Sequence, residues 1–159
     1  MKTMTSATTI IKRYKNGGTI ETCIGFKYEG ADYSRVYACC KHFAKQGKRT
    51  VILPKIHKKD PLYKEIYGDL IGTKYENKCP DFLVGNKFYE HEGFISKNQK
   101  NVFRNMISRG IKQSSRIVID DCGVPWRWAE KNIRRRIEQG TKISEVWVLK
   151  SDGALDQLF

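Results

Sequence analysis

The sequence has no uninterrupted apolar segment of the roughly 18 to 20 residues that a membrane-spanning helix requires. Residues 1–15 also lack the apolar core and the small-residue cleavage site of a secretory signal peptide. The five cysteines include no Cys-x-x-Cys pair, so the sequence indicates neither a disulfide framework nor a zinc knuckle. We therefore expect a cytoplasmic protein with free thiols and without a membrane partner.

Acidic residues are scarce relative to basic ones. The 159 residues include 30 Lys and Arg against 17 Asp and Glu, for a formal charge of +13. Between residues 97 and 136 there are eleven basic residues and only three acidic ones. Such an excess is typical of a protein whose partner is rich in phosphate, because each neutralised phosphate releases counterions. An acidic protein partner and a basic surface that serves only solubility are the alternatives.

The composition otherwise describes a folded protein. With 40% apolar and 11% aromatic residues, the chain has far more core-forming side chains than a disordered segment. A chain of this length can bury roughly two thirds of its unfolded surface, which is enough for a hydrophobic core. Residues 1–30 have the weakest pattern, and we predict a peripheral N-terminal segment there, followed by a nuclease-like α/β domain over residues 31–159.

Helical and strand-like patterns alternate along the chain. A turn at residues 16–18 predicts a peripheral hairpin, residues 33–47 have the apolar spacing of a helix, and residues 49–53 predict a β-branched strand. Residues 55–78 are polar and predict a long surface loop with one weak helical turn. Residues 81–84 and 87–92 are strand-like segments joined by Gly85-Asn86, which is typical of a tight hairpin.

The remaining elements follow from the same criteria. They are a helix that reaches about Lys112, a buried strand over residues 116–121, a helix between Pro125 and Gly140 with Trp126 on its inner face, and a strand over residues 145–149. After the N-terminal hairpin the order is αβββαβαβ. This order predicts an α/β (α+β) fold with a single mixed β-sheet and helices packed on it.

The predicted hairpin brings carboxylates together. If Gly85-Asn86 is a two-residue loop, Asp81 lies opposite Glu90, and strand alternation places Glu92 on the same face. Opposed like charges cost stability unless something compensates them. One interpretation is a metal site, in which Asp81 and Glu90 hold Mg²⁺ or Mn²⁺.

Two other interpretations of this hairpin remain open. In a metal-free reaction, His91 or Glu92 acts as the acid or base that moves a ribose 2′-hydroxyl onto phosphorus, while Arg and Lys stabilise the transition state. Alternatively, the carboxylates are solvated charges of an edge strand, paired with Lys97, Lys100 or Arg109. Asp120 and Asp121 end a strand, and capping of the next helix is their expected role.

Basic and polar residues are predicted to contact nucleic acid. Arg109 and Lys112 lie on the side of their helix opposite the apolar stripe, and we expect them near the reacting phosphate. The expected binding residues are Lys97, Lys100, Asn105, Gln113, Arg116, Arg127, Lys131, Arg134 and Arg135.

Six segments occur in an order that resembles a known group of nucleases. They are FAKQG at 43–47, VILP at 51–54, CPDFLVGNK at 79–87, the acidic strand end YE at 89–90, KQSSRIVID at 112–120 and EVWVL at 145–149. The pattern resembles the CdiA C-terminal tRNase domains, which are toxin modules of bacterial contact-dependent growth inhibition, and related barnase/EndoU/colicin/RelE-like nucleases of mobile elements. It is also similar, as a second choice, to the PD-(D/E)XK nuclease core, although Glu92 stands where that core has Lys.

The charge and the resemblance together predict an RNA-binding, RNA-cleaving protein of a bacterial mobile element or toxin system, with tRNA as the expected target. The resemblance implies an acidic immunity or regulatory protein as a further partner. No cofactor is expected for the metal-free reaction, and Mg or Mn is expected for the metal-dependent one. The alternatives are a non-catalytic nucleic-acid-binding module and a metal-dependent PD-(D/E)XK-like endonuclease.

Overall fold

The computed structural model describes Met4, residues 6–95 and residues 98–159. Within these residues, eight strands form one mixed sheet in chain order, and four α-helices accompany them. The predicted fold class is therefore confirmed. The strands are β1 (Thr8–Arg13), β2 (Thr19–Cys23), β3 (Arg49–Ile52), β4 (Phe82–Val84), β5 (Lys87–Glu92), β6 (Arg116–Asp120), β7 (Glu145–Leu149) and β8 (Leu155–Gln157). The helices are α1 (Gly30–Ala44), α2 (Pro61–Tyr67), α3 (Gln99–Gly110) and α4 (Trp126–Glu138).

Residue contacts divide the chain into two compact units, Met1–Phe88 and Tyr89–Phe159. In the first unit, β2 pairs with β1 in the antiparallel sense and with β3 in the parallel sense, and β3 pairs antiparallel with β4. The predicted boundary near residue 30, between a peripheral N-terminal segment and the domain that follows, stays a prediction.

Helices cover both faces of the sheet in the first unit. Val51 and Leu83 are register partners and pack in one apolar cluster with Tyr67 of α2. Phe82 lies on the opposite face by strand alternation and contacts Phe43 of α1, with ring centroids 6.4 Å apart. Both faces of these strands are therefore buried, as their continuous apolar sequences require.

A buried carboxylate joins the N-terminal hairpin to the sheet. Glu21 of β2 is 5% exposed, and it accepts hydrogen bonds from the hydroxyl groups of Thr8 and Thr19 and from Arg49 of β3. These bonds hold the pKa of Glu21 below its ordinary value despite the opposing effect of burial. The hairpin thus has a charged anchor in the neighbouring strand.

Three neighbouring strands of the second unit are parallel to one another. Strand β5 pairs with β6 and β6 with β7 in the parallel sense, and β8 returns antiparallel beside β7. Helices α3 and α4 make the two crossover connections and pack on one face of these strands. Ile117 and Ile119 of β6 belong to this cluster, so Val118 projects to the opposite face.

Two elements, α2 and β8, differ from the sequence-based prediction. A full helix, α2, replaces the single predicted turn because Asp60 accepts a hydrogen bond from the Leu62 amide and Pro61 occupies the first turn. Strand β8 was not predicted from the sequence, because its three residues have no apolar alternation of their own. None of the five cysteines, all of which lie in the described residues, forms a disulfide.

Candidate functional site

The parallel strands of the second unit end at one edge, and a pocket lies there. Strands β6 and β7 run side by side, and their carboxyl ends are at Asp120 and Leu149. In open sheets with parallel strands, ligands bind at this edge. The carboxyl-edge pocket has a volume of about 280 Å³ and is lined by Phe103, Ile119, Asp120, Asp121, Cys122, Gly123, Val124, Trp126, Ala129, Val148, Lys150 and Leu158. An apolar pocket with a few convergent polar groups is the usual form of a small-ligand site.

A histidine and a carboxylate pair beside the pocket: Asp120 lines it, and His91 lies on the sheet face opposite to α3 and α4. His91 Nε2 lies 2.7 Å from Asp120 Oδ1, and each residue is 8% exposed. The pair forms because β5 and β6 are adjacent and His91 is in register with Val118, two residues before Asp120. A carboxylate at this distance fixes the orientation of the imidazole ring, as in pairs that transfer protons.

The rim of the pocket carries a second carboxylate and a lysine. Asp121 accepts a hydrogen bond from the Gly123 amide at 3.0 Å and pairs with Lys150 at 3.3 Å. The Lys150 ammonium group lies 5.7 Å from the centre of the Trp126 ring. The expectation that Trp126 belongs to the inner face of α4 is wrong, since its side chain is 38% exposed at the pocket rim.

The predicted capping role of Asp120 and Asp121 is also wrong. Helix α4 begins after Pro125, and no side chain caps it. Asp120 instead contacts His91, and Asp121 stabilises the turn that contains Gly123. Both residues line the pocket.

The acidic residues of β5 lie on the face opposite to His91. Glu90 is in register with Ile117 and Glu92 with Ile119, so both side chains lie on the α3 and α4 side. Glu92 Oε2 pairs with Arg109 Nε at 3.0 Å. Arg109 also donates to the carbonyl group of Gly93 at 2.8 Å, so this arginine holds the end of β5. Glu90 itself is buried.

A third network lies toward the amino ends of these strands. The Glu145 carboxylate accepts hydrogen bonds from Tyr89 at 2.7 Å, Trp147 at 3.0 Å and Arg116 at 2.9 Å. These bonds hold the pKa of Glu145 below its ordinary value, although burial acts in the other direction. Burial and the Glu145 charge raise the pKa of Tyr89. The Arg116 Nε is thus bonded within the protein.

Asp81 belongs to the first unit. It precedes β4, pairs with Lys55 at 2.9 Å, and its carbonyl group accepts a hydrogen bond from the Leu53 amide. The predicted pairing of Asp81 with Glu90 and its use as a metal site stay predictions. Among the residues that the structure describes, no three His, Cys, Asp or Glu side chains are grouped closely enough to hold a metal ion.

The predicted nucleic-acid contacts fall into several places. Lys100 and Asn105 are exposed on α3, Lys112 is exposed beyond its C-terminal end, and Gln113 is half-buried. Lys112 precedes the amino end of β6, whereas the pocket is at the carboxyl end. Lys97 lies outside the described residues. The exposed cations of α4 are Arg127, Lys131, Arg134 and Arg135.

Sequence reasoning missed several residues of this unit. The partnership of His91 with Asp120 depends on which strands are neighbours, and α3 separates these strands in the sequence. Lys150 and Trp126 come to the pocket from two further elements. The available signal was the position of Asp120 and Lys150 at the carboxyl ends of predicted strands, where parallel sheets place their sites.

Comparison with known proteins gives one weak structural similarity. The sequence matches no family model, and no curated protein is significantly similar to it. A solved structure with similarity to this chain is the CdiA-CT/CdiI toxin and immunity complex from Burkholderia pseudomallei. It is 16% identical with a TM-score of 0.46, over 81% of this chain and 88% of that chain. This is the group that the sequence motifs resemble, but a similarity of this size carries no argument about activity.

The helices of the protein are short or polar relative to a membrane span. Across Met4, residues 6–95 and residues 98–159, no helix is both long enough and apolar enough to cross a bilayer.

Proposed function

We propose that this protein binds RNA, with tRNA the expected target, and cleaves its phosphodiester backbone at the carboxyl edge of the parallel strands, where Asp120 joins the pocket to His91. The observation that carries the proposal is the position of α4. Its first residue, Trp126, lines the pocket, and its next turns expose Arg127, Lys131 and Arg135 to solvent. A cationic helix that starts at a pocket lined by Asp120, the partner of His91, would bring a phosphate chain close to acid–base groups.

The proposed reaction is a transfer within the RNA strand. The His91–Asp120 pair takes the proton of a ribose 2′-hydroxyl, and the 2′-oxygen attacks the adjacent phosphorus. The bond from phosphorus to the 5′-oxygen breaks, and a general acid of the site returns a proton to that oxygen. The products are a 2′,3′-cyclic phosphate and a 5′-hydroxyl. Lys150 would stabilise the negative charge that develops on the phosphoryl oxygens.

The roles of three residues, Asp120, Glu92 and Arg109, differ from those predicted from the sequence. His91 keeps its proposed place as proton carrier, and Asp120 joins it as the group that orients it. Glu92 and Arg109 pair with each other, which supports a role in holding the end of β5. A metal-dependent reaction, which the sequence left open, is the alternative mechanism.

The test is incubation of the protein with total tRNA, with and without EDTA, followed by gel analysis of the fragments. Fragments that resist EDTA and end in cyclic phosphate would support the proposed reaction. Fragments that disappear with EDTA would favour the metal-dependent alternative. Intact tRNA that is tightly bound would refute cleavage and support a binding module. An acidic inhibitor protein would be expected to compete with tRNA for the α4 cations.

A further inference from the structure

Two rows of side chains meet along the contact between α3 and α4. Each row has helical i, i+4 spacing, so its members lie one above another. We call the following set the α3–α4 seam: Lys100, Arg104 and Ser108 from α3, with Trp128, Asn132 and Arg136 from α4. Both helices run in the same direction along the seam, because Lys100 is level with Trp128 and Ser108 is level with Arg136.

Arg136 is fixed in the seam by uncharged acceptors. Its Nε donates to Asn132 Oδ1 at 3.0 Å, Nη1 to Ser108 Oγ at 3.3 Å and Nη2 to the carbonyl oxygen of Arg104 at 3.2 Å. A guanidinium group has five N–H groups, so two remain for another acceptor. Partial burial and the charge of Arg104 lower the pKa of Arg136 from its ordinary value.

Arg104 is held beside it. The Arg104 guanidinium group lies 5.2 Å from the centre of the Trp128 ring, and Nη1 donates to Asn101 Oδ1 at 3.1 Å. Lys100 lies over the same ring at 5.6 Å. Trp128 therefore holds two cations, Lys100 and Arg104, in the seam by cation–π attraction.

The seam contains no compensating acid. Among the described residues, no carboxylate lies within 4 Å of the charged groups of Lys100, Arg104 or Arg136. Holding like charges together costs stability unless an anion joins them. A phosphate group fits this need, because guanidinium groups bind phosphate oxygens through paired N–H donors.

We infer that the α3–α4 seam binds one backbone phosphate of the RNA between Arg104 and Arg136. The inference rests on the proposed function and extends it, since Arg104 was not among the predicted RNA contacts and Arg136 was expected only as a distant phosphate contact. The seam adjoins the exposed row of Arg127, Lys131 and Arg135 on α4, one residue away around the helix. The RNA strand would therefore extend from the carboxyl-edge pocket along α4.

The experiment measures RNA affinity against salt concentration for charge-removing variants, with a full-length tRNA as the probe. Removing one phosphate contact lowers the slope of log affinity against log salt concentration by about 0.7 to 0.9. The loss of affinity relative to wild type is therefore roughly five-fold to eight-fold larger at 0.1 M salt than at 1 M salt. Arg104→Gln and Arg136→Gln should each give this effect. Because both residues would hold the same phosphate, Arg104→Gln/Arg136→Gln should weaken binding by clearly less than the product of the two single effects.

Arg135→Gln is the matched control, because it removes the same charge from the neighbouring exposed position. Its effect should multiply with that of Arg104→Gln, since the two would contact different phosphates. Arg104 is exposed, so its variant tests the seam even if Arg136→Gln impairs folding, which circular dichroism would reveal. Wild-type affinity in both seam variants, or multiplicative effects in the seam pair, would overturn the inference and leave RNA binding intact. Failure of the wild-type protein to bind tRNA would overturn the proposed function itself, and the inference with it.

Discussion

The contact between α3 and β6 gives a sharp test of the packing that positions the candidate site. Gly110 is the last residue of α3, and a Cβ atom added there would lie 2.8 Å from Cγ2 and 3.3 Å from Cγ1 of Ile117. Ile117 is fully buried, so it has no room to move away. Overpacking of this kind costs about 1 to 3 kcal/mol, and Ala regains at most about 1 kcal/mol over Gly in a helix.

Gly110→Ala should therefore lower the free energy of unfolding by about 1 to 2 kcal/mol. With a urea m-value of about 2 kcal/mol/M, the unfolding midpoint falls by about 0.5 to 1 M. Gly68→Ala is the matched control, because Gly68 has φ −55° and ψ −33° and no atom within 4 Å of the added Cβ. That variant should keep the midpoint or raise it slightly, by up to about 1 kcal/mol in stability. Equal midpoints for both variants would refute the tight α3–β6 contact.

Three further changes test other parts of the molecule. Glu145→Gln should destabilise the protein at pH 7, because the lowered pKa of Glu145 means that its charged form stabilises the fold. This effect should fade as the pH falls below about 4.3, the ordinary pKa of a glutamate in the unfolded chain. A difference in urea midpoint between variant and wild type that is equal at pH 7 and pH 3 would contradict this. Gly18→Ala should destabilise by about 3 kcal/mol or more, since its Cβ would lie 1.7 Å from the Ala44 carbonyl oxygen; an unchanged melting temperature would refute the contact. Asp60→Ala should cost about 1 kcal/mol through loss of the α2 cap, and a stability equal to that of wild type would exclude that role.

The order of elements could be predicted because each element has a local signal. The Gly85-Asn86 turn is an example: Gly85 has φ +59°, a left-handed conformation that glycine adopts without strain. Helix α2 was underestimated because the Asp60-Pro61 start signal stands in a polar segment. Strand β8 could not be predicted, because its pairing with β7 and not its own sequence makes it a strand.

The site was less predictable than the fold for a physical reason. His91 was identified as a candidate, but its partner depends on the register of β5 against β6, which the intervening helix conceals in the sequence. The same holds for the α3–α4 seam, where Arg104 and Arg136 come from different helices. Charge composition predicts that cations lie on the surface, and only the packing shows which of them have no acidic partner among the described residues.

The most direct measurement of the central claim is single-turnover tRNA cleavage at saturating protein by Asp120→Asn. The substitution keeps the size of the side chain and removes the charge that orients His91. Loss of a positioned acid–base group lowers a cleavage rate by about 100-fold or more, so we expect that loss with unchanged tRNA affinity. Asp152→Asn, in an exposed turn, should cleave at the wild-type rate. Equal cleavage by Asp120→Asn and wild type would contradict a reaction at the carboxyl-edge pocket.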